Sequence, residues 1–288
     1  MKLTVAIVTF QHEAFIRQAL DSVLAQDTRF DFDVVIGDDA STDRTVEILK
    51  DIQSTAPIPI RIEVADTNPG DRGVTNFLNT VKAATGDYIA LLDGDDYWTS
   101  PDKLQRMADF LDAHPDCALC AHRTMHLWNT GETLLSPRPH RGDAVMRPGS
   151  LLYSNYADRV ATVARRSAVQ AGLPDWFDTV DVTSADWLFN ILVGRHGKIG
   201  YVDEVMAMHR LHSDGLTMNA GLDRMMADKL AHFDMLAAHL PGQRLDILRA
   251  KWVIGAKLAM HRISPNFYMS LKKLRYAFHR SNQSEGKH

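Results

Sequence analysis

The chain has 288 residues, 45% of them apolar and 24% charged, enough to bury one substantial core with or without an appendage. A net charge of -4 gives no reason to expect a nucleic-acid partner, and no stretch approaches the length of a membrane span. The apolar start MKLTVAIVT is too short for a secretory core and meets Gln11-His12-Glu13 directly; with two cysteines and no disulfide framework, the expected compartment is the cytosol.

The first half alternates strand and helix signals. Leu3–Thr9 reads as a fully buried strand, and Ile16, Ala19, Leu20, Val23 and Leu24 recur at helical spacing. Phe32–Gly37 is a second strand ending in Asp38-Asp39, with Ser41 as the expected N-cap of a helix carrying Val46, Leu49 and Ile52. Pro57 and Pro59 end that helix, and Ile60–Val64 makes a third strand. The polar loop DTNPGDRG leads to a helix with Phe77, Leu78 and Val81, and Gly86-Asp87 turns into the strand YIALLDGDDYW. Ser100-Pro101 opens a helix with the stripe Leu104, Met107, Ala108 and Leu111. Strands alternating with helices of this length imply an α/β fold with a mainly parallel sheet. The ligands of such sheets bind beyond the carboxyl ends of the strands.

The second half is less regular. Residues 129–150 suit a long loop near a site, and Ala161–Ala164 reads as a strand. Ser184 is the expected cap of a helix from Ala185 to His196, and Ile199–Val202 and Val205–His209 read as two strands. From Leu222 onward the pattern is helical, broken at Pro241-Gly242 and Pro265.

Asp93, Asp95 and Asp96 place three carboxylates in four positions directly after an apolar strand. Hard cations take oxygen ligands, and Mg²⁺ in particular is held by one or two carboxylates together with substrate phosphates. Asp38 and Asp39 read either as turn residues or as acceptors for a nucleotide base or ribose. Cys117 and Cys120 have the spacing of a zinc or redox pair, but in a strand residues three apart face opposite sides, so they are read as buried apolar cysteines. Asp186 reads as a helix-start carboxylate or a catalytic base, and His212 as a weak candidate metal ligand. No glycine-rich dinucleotide or P-loop signature follows any strand, and there is no nucleophile elbow.

Taken together these stretches resemble family 2 of the inverting glycosyltransferases, which have the GT-A fold. The likeness covers roughly residues 3–217 and rests on VAIVTFQHEAFIRQALDSVLAQ, GDDASTDRT, NPGDRGVTNFLNTVKAATGDYIALLDGDD and SADWLFNILVGRHGKIGYVDEVMAMHRLHSDGLT, in that order. It implies a nucleotide-binding half at 1–125, an acceptor half at 126–217 and a helical extension at 218–288. Thr9 would sit beside the base, Asp38 would accept from it and Asp39 would support that turn. Asp93 would approach the ribose, and Asp95 would hold Mn²⁺ or Mg²⁺. Asp186 would be the general base, and His212 a further metal ligand or phosphate contact. The chain departs from the family pattern at Ala185, where an acidic residue usually precedes the base. It departs again at Val74-Thr75-Asn76, where Ala-Arg-Asn is frequent, and Arg72 is the candidate for the displaced positive charge.

The implied donor is a nucleoside-diphosphate sugar, with a UDP-sugar favoured, and the acceptor is a hydroxyl, free or lipid-linked. The alternatives are a nucleotidyltransferase that makes the sugar nucleotide, and a non-catalytic module that only binds it. Trp98 and the 129–150 loop are the candidates for keeping water from the donor. Residues 266–280 interleave basic and aromatic side chains and read as a terminal helix with a solvated basic face. Peripheral contact with an anionic membrane is the alternative. Met225, Met226 and Met235 are read as core or subunit contacts.

Overall fold

The computed structural model of the chain describes residues 1–179, 185–212 and 222–263. The chain divides into two compact units, Met1–Asn219 and Ala220–His288.

The first unit begins with β1 (Leu3–Thr9), α1 (Ile16–Leu24), β2 (Phe32–Asp38), α2 (Thr45–Thr55), β3 (Ile60–Val64), α3 (Val74–Ala83) and β4 (Tyr88–Asp93). Every residue of β1 is buried, because helices cover both faces of a parallel sheet; its sequence is therefore a continuous apolar run rather than an alternation. Helix α1 contributes Ile16, Ala19, Leu20 and Val23 to the core. The strands are parallel in the order β3-β2-β1-β4. Since β2 and β4 flank β1 on opposite sides, the crossovers diverge there and leave a crevice beyond the carboxyl ends of β1 and β4. Thr9, Asp38 and Asp93 are the last residues of their strands.

The chain continues through β5 (Tyr97–Trp98), α4 (Lys103–Ala113), β6 (Cys117–Trp128), β7 (Thr133–Leu135), β8 (Ala144–Met146) and α5 (Ser150–Tyr153). A 3₁₀ turn at Arg159–Ala161 leads to β9 (Val163–Arg165), α6 (Arg166–Gly172), α7 (Ala185–Gly194) and β10 (Lys198–Leu211). The sheet extends as β4-β9-β6-β10-β5, with β7 on β6 and β8 on β10. Strand β9 runs antiparallel to both β4 and β6, and β6 is parallel to β10. β4, β6 and β10 therefore point the same way, and their carboxyl ends share one sheet edge.

Several expected elements take a different form. The two strands expected at 199–202 and 205–209 are one strand with irregular register between Val202 and Ala207. The polar pair Asp203-Glu204 marks that bulge. The Asp203 carboxylate accepts from Arg138 Nη1 at 2.9 Å and from the Gly142 amide at 2.8 Å, which anchors the segment 138–143. The expected 129–150 loop carries two strands: β7 lies near the carboxyl end of β6, whereas β8 pairs with the start of β10, away from that edge. Ser41 does not cap α2, which begins at Thr45; its hydroxyl and amide both donate to Asp38. Ser184 lies outside the described residues. Cys117 and Cys120 are buried and free, and burial raises both thiol pKa values, that of Cys117 to about 11.

In the second unit, α8 (Leu222–His239) and α9 (Arg244–Ile263) are joined by a 3₁₀ turn at Pro241–Gln243, where the proline and glycine interrupt the helical pattern. Phe233, Leu236, Ile247, Ala250 and Ile254 are buried, and Met235 is half-buried. The 266–280 segment, Pro265, and the side chains of Met225 and Met226 lie outside the description. Among the described residues no helix is long and apolar enough to cross a membrane.

Trp98 is only 4% exposed, and its indole N–H donates to the Val160 carbonyl at 3.1 Å. It is a strut of the core and does not cover the crevice. Lys103, fully buried, places Nζ 3.9 Å from the Trp98 ring centroid, and Nζ has no hydrogen-bond partner. Burial lowers its pKa to about 7. The unfolded chain holds this proton up to about pH 10, so burying the amine costs stability, fully below about pH 7 and progressively less as pH rises from about 7 to about 10. Lys103→Met is expected to flatten that dependence and to add roughly 1–4 kcal/mol at neutral pH. Thermal unfolding of both proteins across this pH range checks the prediction.

Candidate active site

The acidic turn after β4 is built by a close approach of two strand ends. The Gly94 amide donates to the Val8 carbonyl at 2.8 Å. A Cβ on Gly94 would lie 2.7 Å from Thr9 Oγ1 and 2.8 Å from His12 Nδ1, so only glycine lets Asp93 and Asp95 flank the end of β1 this closely. Thr9 Oγ1 and His12 Nδ1 share a hydrogen bond of 3.2 Å.

The three carboxylates of this turn have separate partners. Asp93 accepts from Arg159 Nη1 at 2.5 Å. Asp95 Oδ2 lies 2.9 Å from His212 Nε2 and 3.8 Å from His12 Nε2. Asp96 is buried and accepts the Arg210 amide at 2.8 Å. Burial alone would raise Asp95, but the His212 hydrogen bond and the nearby His12 and His209 rings bring it down to about 2. Burial and the charges of Asp95 and Asp93 instead push Asp96 well above the carboxylate range. Asp95 is thus held ionised, whereas Asp96 is pushed toward its neutral form.

Arg210 braces the turn from β10. Its guanidinium donates to the Asp95 carbonyl and to Gln18 Oε1 and lies over the rings of Tyr97 and Phe15. Phe15 also faces the His212 ring at a centroid distance of 5.1 Å.

One strand along, the Asp38 carboxylate accepts from the Ser41 amide at 2.8 Å and from its hydroxyl at 2.6 Å. Asp39 accepts from Asn68 Nδ2 at 3.1 Å. Burial, then the Asp71 and Asp38 charges, raise the Asp39 pKa. Arg72 stands at the entrance to α3 with a positive φ of 60° beside Gly73 at 78°, and Asp71 caps that helix by accepting the Gly73 and Thr75 amides. Asp186 lies in the first turn of α7, and Asn155 Nδ2 donates to it at 3.4 Å. Arg159 links it to the acidic turn: burial lowers the guanidinium pKa, but Asp93 and Asp186 raise it above its ordinary value.

Comparisons with known proteins agree with this geometry. The model of the family described as glycosyl transferase family 2 matches residues 4–169. The chain belongs to that family. An uncharacterized protein of Mycobacterium tuberculosis is 33% identical over 224 residues, covering 77% of this chain and 62% of the relative; the chain thus spans about three fifths of the length of the curated relatives it matches first. A Staphylococcus aureus TarS structure in complex with UDP-GlcNAc aligns with TM-score 0.64 at 19% identity, over 81% of this chain and 66% of that one. The mannosyltransferase PcManGT from Pyrobaculum calidifontis, in complex with GDP-Man and Mn²⁺, aligns with TM-score 0.61 at 18% identity, over 96% and 80%. These likenesses establish the shared GT-A fold.

Within this family 2 chain, the site contains residues that sequence reasoning missed. His12 lies in the loop after β1, in the stretch TFQHEAF. Arg159 precedes β9 with no motif around it, and Arg210 stands two residues before His212 in the last quoted stretch. The Asp95 carboxylate fits a divalent cation: an ionised oxygen donor suits Mn²⁺ or Mg²⁺ completed by phosphate oxygens, while the His212 imidazole on the same oxygen could join as a ligand only for Mn²⁺, since Mg²⁺ prefers oxygen alone. Because an added methyl group must push Thr9 and His12 aside, Gly94→Ala is expected to cost about 1–3 kcal/mol. Thermal unfolding of the variant beside the parent checks the effect.

Proposed function

We propose that this family 2 chain transfers a sugar from a nucleoside-diphosphate sugar to a hydroxyl acceptor, inverting the anomeric centre. The observation that carries the reading is the convergence, at one sheet edge, of an ionised Asp95 with His212 and of Asp93 with Arg159, whose guanidinium also senses Asp186.

In this reading residues 1–125 bind the nucleotide and 126–217 the acceptor. Thr9 and Asp38 contact the base, with Asp39 supporting the turn. Both Asp38 oxygens accept bonds from Ser41, and a carboxylate retains further lone pairs for a base N–H. Asp93 accepts from the ribose, Arg72 approaches the diphosphate, and Asp95 with His212 holds the cation. When bound, Mn²⁺ or Mg²⁺ supplies Lewis-acid stabilisation of the departing diphosphate. Asp186 takes the proton of the acceptor hydroxyl as the new oxygen–carbon bond forms and the bond to the diphosphate breaks. Attack from the face opposite the leaving group inverts the centre. UDP-sugars are the first donors to test, followed by GDP-sugars, because the structural neighbours are bound to UDP-GlcNAc and GDP-Man. The acceptor is a free or lipid-linked hydroxyl compound.

A screen of nucleotide sugars for Mn²⁺-dependent hydrolysis identifies the donor. With it, Asp95→Ala is expected to abolish metal-dependent donor binding in calorimetry. Asp186→Asn should keep binding within about threefold and reduce transfer by at least ~100-fold. Transfer at the parental rate by both variants would overturn the assignment.

A further inference from the structure

A second cluster of ligating side chains lies beside the acidic turn and shares no residue with it. His126 on β6 and His209 on β10 are register partners in the parallel pair, and their ring centroids are 5.2 Å apart. Asp158, just before the 3₁₀ turn, reaches between them. Its Oδ2 lies 3.1 Å from His126 Nε2 and 4.0 Å from His209 Nδ1. Thr124, two residues before His126 and hence on the same face of β6, donates its hydroxyl to the same carboxylate at 2.5 Å. One ligand atom from each of the three residues lies within 4.8 Å of the others. His209 Nδ1 is buried and has no hydrogen-bond partner.

We infer that His126, Asp158 and His209 form a binding site for a borderline divalent transition ion of the Zn²⁺ class, separate from the cation site at Asp95. Two imidazole nitrogens and one carboxylate are a ligand set for Zn²⁺ or Co²⁺ rather than for Mg²⁺, which prefers oxygen alone. Tetrahedral ligands at 2.0–2.1 Å stand about 3.4 Å apart, so the imidazoles need to shift by little more than an ångström. His209 Nδ1 would gain the partner it lacks. The Thr124 hydroxyl would fix the carboxylate, as an outer hydrogen bond commonly does for a metal ligand. The three side chains are each partly exposed, which leaves a coordination position for water or another oxygen ligand.

Co²⁺ titration of the full chain carrying Asp95→Ala, without nucleotide, tests this and removes the carboxylate of the other site. One Co²⁺ per chain is expected, with visible d–d absorption and two contact-shifted imidazole N–H resonances, one from each histidine. Adding His126→Ala or His209→Ala should weaken binding by at least about tenfold. Absence of stoichiometric binding, or unchanged affinity in both histidine variants, overturns the proposal. Should those variants fail to fold, the resonance count in the Asp95→Ala chain decides: fewer than two shifted imidazole signals also overturns it.

Discussion

Three carboxylates crowded into four residues at a sheet edge set the terms for the rest of the molecule. Two like charges about 5 Å apart repel by about 3 kcal/mol at an effective dielectric of ~20. The chain relieves this by giving each carboxylate its own environment. Asp93 is paired with Arg159, Asp95 with His212, and Asp96 with a backbone amide of β10, where burial favours the neutral acid. Every one of these partners comes from the second half of the first unit. The acidic turn is therefore a product of that half folding back onto the first, and the environment of Asp95 depends on His212, more than a hundred residues away.

The short strand β9 makes this possible. Running antiparallel between β4 and β6, it begins at the edge where its neighbours end. Asp158 and Arg159, immediately upstream, are thereby delivered to the carboxyl ends of β4 and β6. A parallel strand in the same place would have carried them to the opposite edge. The two-residue period of β10 then separates two chemistries: His209 faces Asp158 and His126, while the next residue, Arg210, turns to the acidic turn. One strand thus serves both clusters, with His209 also acting on Asp95 through its charge.

Much of the first half was legible in the sequence. Continuous apolar runs between helical patterns mark buried parallel strands: β1 and β4 read this way because both faces of each answer to the same core, whereas β3, an edge strand with no fully buried residue, is set off by Pro57 and Pro59 at the end of the preceding helix. The acidic turn was legible for a related reason, since clustered carboxylates after a buried strand conflict with local preference. The second half was harder to read. The polar pair Asp203-Glu204 resembles a loop and split β10 in two, because a bulge whose carboxylate is satisfied by Arg138 and a backbone amide has no local signature. Trp98 looked like a cover and proved to be a core strut, since only the path of the chain around Val160 determines which way an aromatic faces.

By itself, then, the sequence determined the α/β class, the order of the leading strands and the carboxylates at their ends, because periodicity and local charge are properties of short segments. It could not determine which side chain stands opposite Asp93 or Asp95, or that His126, Asp158 and His209 meet. Those pairings depend on strand order, strand direction and register between residues far apart in the chain, which only the packed sheet supplies.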